Sequence, residues 1–307
     1  MKALGVLVLS SLASLGVLGL GNPAEPGPYG VRQVELRLLD QARNRRVEVL
    51  LVLPEGDGPF PWVLFSPGFL LSGRDYRLLG WHLASHGMAV ALLTYDVNLF
   101  NANHAILAQD LRFALSELLR NPATGRFLDS ERIGLAGHSL GGKVSFLAAA
   151  EEARVLAIAA LDPVDGGGGG GSDPVRFPRV TPERMKLVRV PVLLLGAELG
   201  RLTRFGMPCA PEADNYQRFF QAANPPALEI TQLGVGHMDY LDNPNCGLLC
   251  AVCVPGTRPW RDSHRSVHAY LTLFFRAHLL GEVAALAGLR AWVQAEADQG
   301  LVKVREK

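Results

Sequence analysis

Residues 132–143, Arg-Ile-Gly-Leu-Ala-Gly-His-Ser-Leu-Gly-Gly-Lys, leave the chain few folds to choose from. A short apolar run, Ile133 to Ala136, leads into Gly-x-Ser-x-Gly and then into a small-residue stretch, Lys143 to Glu151, that reads as a helix. Strand, tight turn and helix in that order predict a nucleophile elbow, with the Ser139 hydroxyl raised above a sheet. Gly137 and Gly141 are needed there because a side chain at either position would strike the neighbouring strand or helix. The amides opening the following helix stabilise negative charge, so the Leu140 amide is a candidate oxyanion donor. A solvated serine in a glycine-rich turn would satisfy the bare pattern but not its flanks.

The rest of the chain continues the alternation of strand and helix. Residues 31–39 and 47–53 alternate as an antiparallel hairpin at a sheet edge. Trp62 to Phe65, residues 88–93, 155–161 and 191–195, and 227–233 are short, strongly apolar runs of the kind buried in a parallel sheet. Residues 76–86, 104–120 and 215–222 read as helices between them, and 264–292 as one or two closing helices. The predicted class is α/β: one domain over residues 25–300, with a mostly parallel central sheet, an antiparallel N-terminal edge and helices on both faces. Residues 301–307 read as a tail, and six consecutive glycines, Gly166 to Gly171, as a spacer or a mobile loop.

With 49% hydrophobic residues in 307, the chain can bury one large core. A formal charge of +1 with scattered basic residues leaves no footprint for nucleic acid and suits a small or apolar substrate. Lys2 followed by an apolar run to Leu20 and a turn-rich segment predicts an export signal over residues 1–24, or a retained anchor, and so a periplasmic or extracellular protein. Four cysteines, Cys209, Cys246, Cys250 and Cys253, then imply two disulfides with three possible connectivities. A metal site at Cys250-x-x-Cys253 competes, but lacks a second close pair.

Each candidate reactive residue follows a predicted strand, the edge where open α/β sheets hold ligands. The chain order Ser139, acid, His237 is that of the α/β-hydrolase triad. His237 stands in a glycine-flanked loop after the strand 227–233 and is the expected general base, preferred over His138 and His82. For the acid the order of preference is Asp162, directly at its strand end, then Glu198, then Asp165 beside the glycine run. The second oxyanion donor is expected from the Phe69 amide, next to Gly68. This chemistry requires no metal and no organic cofactor.

From about Trp62 to Asp242 the chain resembles chlorophyllases and the related cutinase-like polyester hydrolases. Ser66-Pro67-Gly68-Phe69 and Leu83-Ala84-Ser85-His86-Gly87 are similar to polyester hydrolases. Leu161-Asp162-Pro163-Val164, Cys209-Ala210-Pro211-Glu212 with Asn215 and Phe219-Phe220, and residues 236–242 are similar to chlorophyllases, as is the elbow. The resemblance implies an esterase acting through an acyl-enzyme. Polyester hydrolases carry the acid where this chain has Gly200, and chlorophyllases in the block matching Asp162, so the resemblance also implies Asp162. Pro67 stands where chlorophyllases usually have histidine, and Leu140 where they often have arginine. Within enzymes the alternative is a polyester hydrolase or lipase; outside them, a non-catalytic binding protein on the same fold.

Overall fold

A computed structural model describes residues 21–166 and 173–307. The expected export segment up to residue 20 and the glycines from 167 to 171 lie outside the described residues. In chain order the elements are β1 (Val31–Asp40), β2 (Arg45–Pro54), β3 (Phe60–Ser66), α1 (Arg77–Ser85), β4 (Ala89–Tyr95), α2 (His104–Arg120) and α3 (Pro122–Gly125). The elbow region supplies β5 (Leu128–His138), α4 (Leu140–Ala149) and β6 (Val155–Leu161). There follow β7 (Val192–Ala197), a two-strand ribbon of β8 (Thr203–Arg204) and β9 (Met207–Pro208), α5 (Tyr216–Ala222), β10 (Ala227–Gln232), α6 (Leu248–Ala251), α7 (Trp260–Leu279), α8 (Val283–Asp298) and β11 (Val302–Glu306).

Nine strands form one sheet in the order β1-β2-β4-β3-β5-β6-β7-β10-β11. The six from β4 to β10 run parallel, and β1 and β2 form the antiparallel edge that the hairpin pattern predicts. Continuous apolar runs make the central strands two-faced. In β3, Trp62 and Leu64 enter one core with α2, α4 and α5, while Val63 and Phe65 enter the other with α1, α7 and α8. Parallel strands covered by helices on both sides must be apolar on both sides, which is why these runs lack alternation.

The domain is longer than the sequence reading at both ends. Residues 302–306, read as part of a tail, form the opposite antiparallel edge, with Val302 opposite Gln232 and Glu306 opposite Leu228. At the other end, the Pro23 and Glu25 carbonyls accept hydrogen bonds from His82 and His86, so the chain is already packed on the domain before residue 25.

Candidate active site

β5 ends at His138 and α4 begins at Leu140, leaving Ser139 between them at φ 54°, ψ −120°. A non-glycine residue with positive φ costs about 1–3 kcal/mol and persists only where its surroundings enforce it. Here the Ser139 amide donates to the Leu161 carbonyl at 2.9 Å, tying the turn to β6. The flanking glycines are obligatory. A Cβ at Gly137 would lie 2.4 Å from the Gly141 carbonyl, and one at Gly141 would lie 1.9 Å from the Ser66 oxygen at the end of β3. That close approach brings the loop after β3 against the helix that follows the serine.

His237 lies beyond β10, at the start of a single 3-10 turn. Its Nε2 is 2.9 Å from Ser139 Oγ and its Nδ1 is 2.7 Å from Asp162 Oδ2. With Nδ1–H donating to the carboxylate, Nε2 is left to accept from the hydroxyl. Asp162 is wholly buried at the end of β6, with φ 42°, held by its amide donating to the Leu195 carbonyl at 2.6 Å and by the Ala197 amide donating to Oδ1 at 3.3 Å. Burial raises its pKa above the ordinary carboxylate value, and the hydrogen bond from His237 opposes that rise.

The other two acids point elsewhere. Glu198 accepts from the Gly234 amide at 2.9 Å and braces the loop before His237. Asp165 accepts from the Val180 and Thr181 amides at 2.8 and 2.9 Å and from the Thr181 hydroxyl at 2.6 Å, with Lys143 Nζ 3.6 Å from its carboxylate. Gly200, where the resemblance would put a polyester hydrolase's acid, faces the same spot: a Cβ there would lie 2.5 Å from Asp162 Oδ2. The two positions therefore approach one imidazole from neighbouring strands.

Phe69 and Leu140, whose amides are the expected oxyanion donors, both border the same cleft as Ser139. Among the described residues, neither the Phe69 nor the Leu140 amide donates to a protein acceptor. A network that the sequence does not announce lies beneath them. The His237 carbonyl accepts from His138 Nε2 at 2.9 Å, His138 Nδ1 accepts from the Tyr76 hydroxyl at 2.7 Å, and Tyr76 accepts from the Gly68 amide at 3.2 Å. Burial holds His138 neutral, well below the usual histidine range, which this donor and acceptor pattern requires. The chain of bonds joins the Phe69 loop to the His237 loop. His138 thus works as a strut, and Tyr76, 62 residues from it in sequence, has no motif that could have revealed it.

The cleft has a volume of about 220 Å³ and is bordered mainly by apolar groups, among them Phe69, Leu71, Val164, Leu249 and Val252. Of the two disulfides, the one between Cys209 and Cys253 borders this cleft. Cys209 pairs with Cys253 and Cys246 with Cys250, so the thiols of Cys250-x-x-Cys253 go to different partners. No helix among the described residues is long and apolar enough to cross a membrane.

A parallel sheet flanked by helices, with serine, carboxylate and imidazole on loops at its carboxyl edge, defines an α/β-hydrolase fold. A solved structure, a ferulic acid esterase from Streptomyces cinnamoneus, shares that architecture: TM-score 0.65 at 24% identity over 86% of this chain and 93% of its own. The chlorophyllase family model matches residues 22–300, and the chain belongs to that family of ester hydrolases. Chlorophyllase-2 of Arabidopsis thaliana is 28% identical over 263 residues, covering 79% of this chain and 81% of the plant protein. A bis(hydroxyethyl) terephthalate hydrolase of Streptomyces coelicolor is 30% identical over 172 residues, 52% of this chain and 54% of its own.

Proposed function

We propose that the protein cleaves a carboxylic ester of a bulky, largely apolar substrate through an acyl-enzyme on Ser139. The observation that carries this reading is the pair of short contacts from His237, to Ser139 on one side and Asp162 on the other. His237 Nε2 takes the hydroxyl proton as Oγ bonds to the ester carbon. The resulting alkoxide oxygen accepts from the Phe69 and Leu140 amides, and Asp162 stabilises the imidazolium. Collapse of the tetrahedral species expels the alcohol, which takes the proton from His237. Water, deprotonated by the same nitrogen, then releases the acid and restores Ser139.

Family membership and the apolar cleft support a chlorophyllase-like choice of ester, including the phytyl ester of chlorophyll. Similarity to the terephthalate ester hydrolase supports polyester fragments as the second substrate class. An exported location is part of the proposal, supported by the composition of residues 1–20 and by the two disulfides, which persist in oxidising compartments.

The test is Ser139→Ala. Turnover of p-nitrophenyl butyrate should fall by about 10⁴-fold or more with an unchanged melting temperature. Turnover equal to that of the parent protein would overturn the assignment. With the variant as blank, chlorophyll, tributyrin and bis(hydroxyethyl) terephthalate compared side by side rank the ester classes.

A further inference from the structure

One imidazole in the cleft has no use in the chemistry above. His104 opens α2, where the Asn103 side chain caps the helix and the His104 amide donates to the Arg176 carbonyl at 2.7 Å. Its ring packs edge-on against Phe177, with centroids 4.9 Å apart, and borders the same cleft as Ser139 and His237. The residue is only 2% exposed. Among the described residues neither ring nitrogen has a hydrogen-bond partner, and Nδ1 is sealed from solvent. Burial, with the nearby charge of Lys143, pushes its pKa down to about 3, so the ring is neutral at physiological pH.

A buried polar atom left without a partner costs about 1–3 kcal/mol, and such groups are rare in folded proteins. Packing does not require the nitrogens here, since a phenylalanine or leucine would fill an apolar wall without that cost. Nδ1 is sealed in this conformation, but Nε2 has no protein partner among the described residues on a ring that borders the cleft, so the partner for the imidazole can arrive with the substrate at that nitrogen. The chemistry of that partner is constrained. A neutral ring offers one N–H donor and one acceptor nitrogen. Lys143, whose ammonium donates to the Asp165 carbonyl at 2.6 Å and lies 3.6 Å from its carboxylate, is already paired, so a neutral ring in an apolar cleft suits an uncharged oxygen group.

We propose that His104 is a specificity-determining residue that hydrogen-bonds an uncharged hydroxyl or carbonyl oxygen of the substrate, away from the reacting ester. This rests on the esterase reading and narrows it: the preferred ester carries a second oxygen function on an otherwise apolar skeleton. A site built to bond such a group discriminates against the analogue lacking it more sharply than an apolar pocket discriminates by size.

Two matched pairs test it: methyl 4-hydroxycinnamate against methyl cinnamate, and 2-hydroxyethyl benzoate against propyl benzoate. In at least one pair the parent protein should prefer the oxygenated ester, and His104→Leu should lower that preference, as a ratio of kcat/KM, about tenfold, mainly through KM. His104→Gln, which keeps a donor and an acceptor, should recover part of the ratio, and melting temperatures report whether either variant is damaged. If His104→Leu changes both members of each pair by the same factor while the parent remains active, or if the parent prefers neither oxygenated ester, the assignment of His104 fails and the esterase stands. If the parent hydrolyses none of the four and p-nitrophenyl butyrate also survives, the esterase reading itself has failed.

Discussion

Asp162 and Asp165 sit three residues apart after the same strand, and both are wholly buried. In the proposed mechanism they serve different ends because of what they face. Asp165 meets standing positive partners: Lys143 at 3.6 Å, Arg179 at 3.8 Å, and the Val180 and Thr181 donors. Asp162 meets a histidine and a single amide, so its charge finds a full counterpart only when His237 becomes protonated. A buried carboxylate surrounded by permanent donors secures the fold. One left partly uncompensated suits the charge that the proposed mechanism places on His237 during turnover.

Exchanging the two carboxylates for amides should separate these roles most widely. Asp162→Asn is expected to lower kcat on p-nitrophenyl butyrate by about 10³–10⁴-fold, through loss of the correct tautomer, with little change in melting temperature. Asp165→Asn should do the reverse. It should retain kcat within about tenfold while losing roughly 3 kcal/mol of stability, because Lys143 stays buried beside a neutral group. Denaturant titrations and steady-state rates on the same two preparations decide it, and a crossed pattern would reverse the assignment.

A smaller effect probes the aim of Asp162. Gly200→Ala puts a methyl group 2.5 Å from Asp162 Oδ2 and should displace the carboxylate from Nδ1. A misplacement of about 1 Å at a reacting centre costs up to about 100-fold, so kcat should fall 10- to 100-fold. Loss of stability with kcat intact would show that Gly200 serves packing alone.

The smallest effect concerns Asp165's partner. Burial lowers the Lys143 pKa from 10.5 to about 8. Between those values the unfolded chain binds more protons than the folded one, so this group makes stability rise with pH across that window. Below about pH 8 both states carry the proton and the slope vanishes. The difference in unfolding free energy between the parent and Lys143→Met, followed from pH 7 to 10.5, should show that rise; a flat difference would mean Lys143 titrates normally.

Much of this arrangement is legible in the sequence because local rules enforce it. Gly137 and Gly141 around Ser139 admit only one kind of turn, and the runs ending at Phe65, Leu161 and Leu195 are apolar without alternation, as strands covered on both faces must be. Asp162 could be ranked first because it immediately follows its strand. What escapes depends on partners distant in sequence. The edge strand at 302–306 carries exposed Lys303 and Arg305 and looks like a tail until β10 offers it a register. The pairing of Cys209 with Cys253 spans 44 residues. Tyr76 meets His138 from 62 residues away, and His104 reaches the cleft wall only once separate loops assemble it.

Covalent capture of the serine tests the catalytic centre most directly. Treatment with a fluorophosphonate, followed by intact mass and peptide mapping, should show one adduct per chain, on Ser139, and the adduct should disappear in His237→Ala. No adduct on the folded protein, or one on another residue, would contradict a mechanism in which Ser139 is activated by His237.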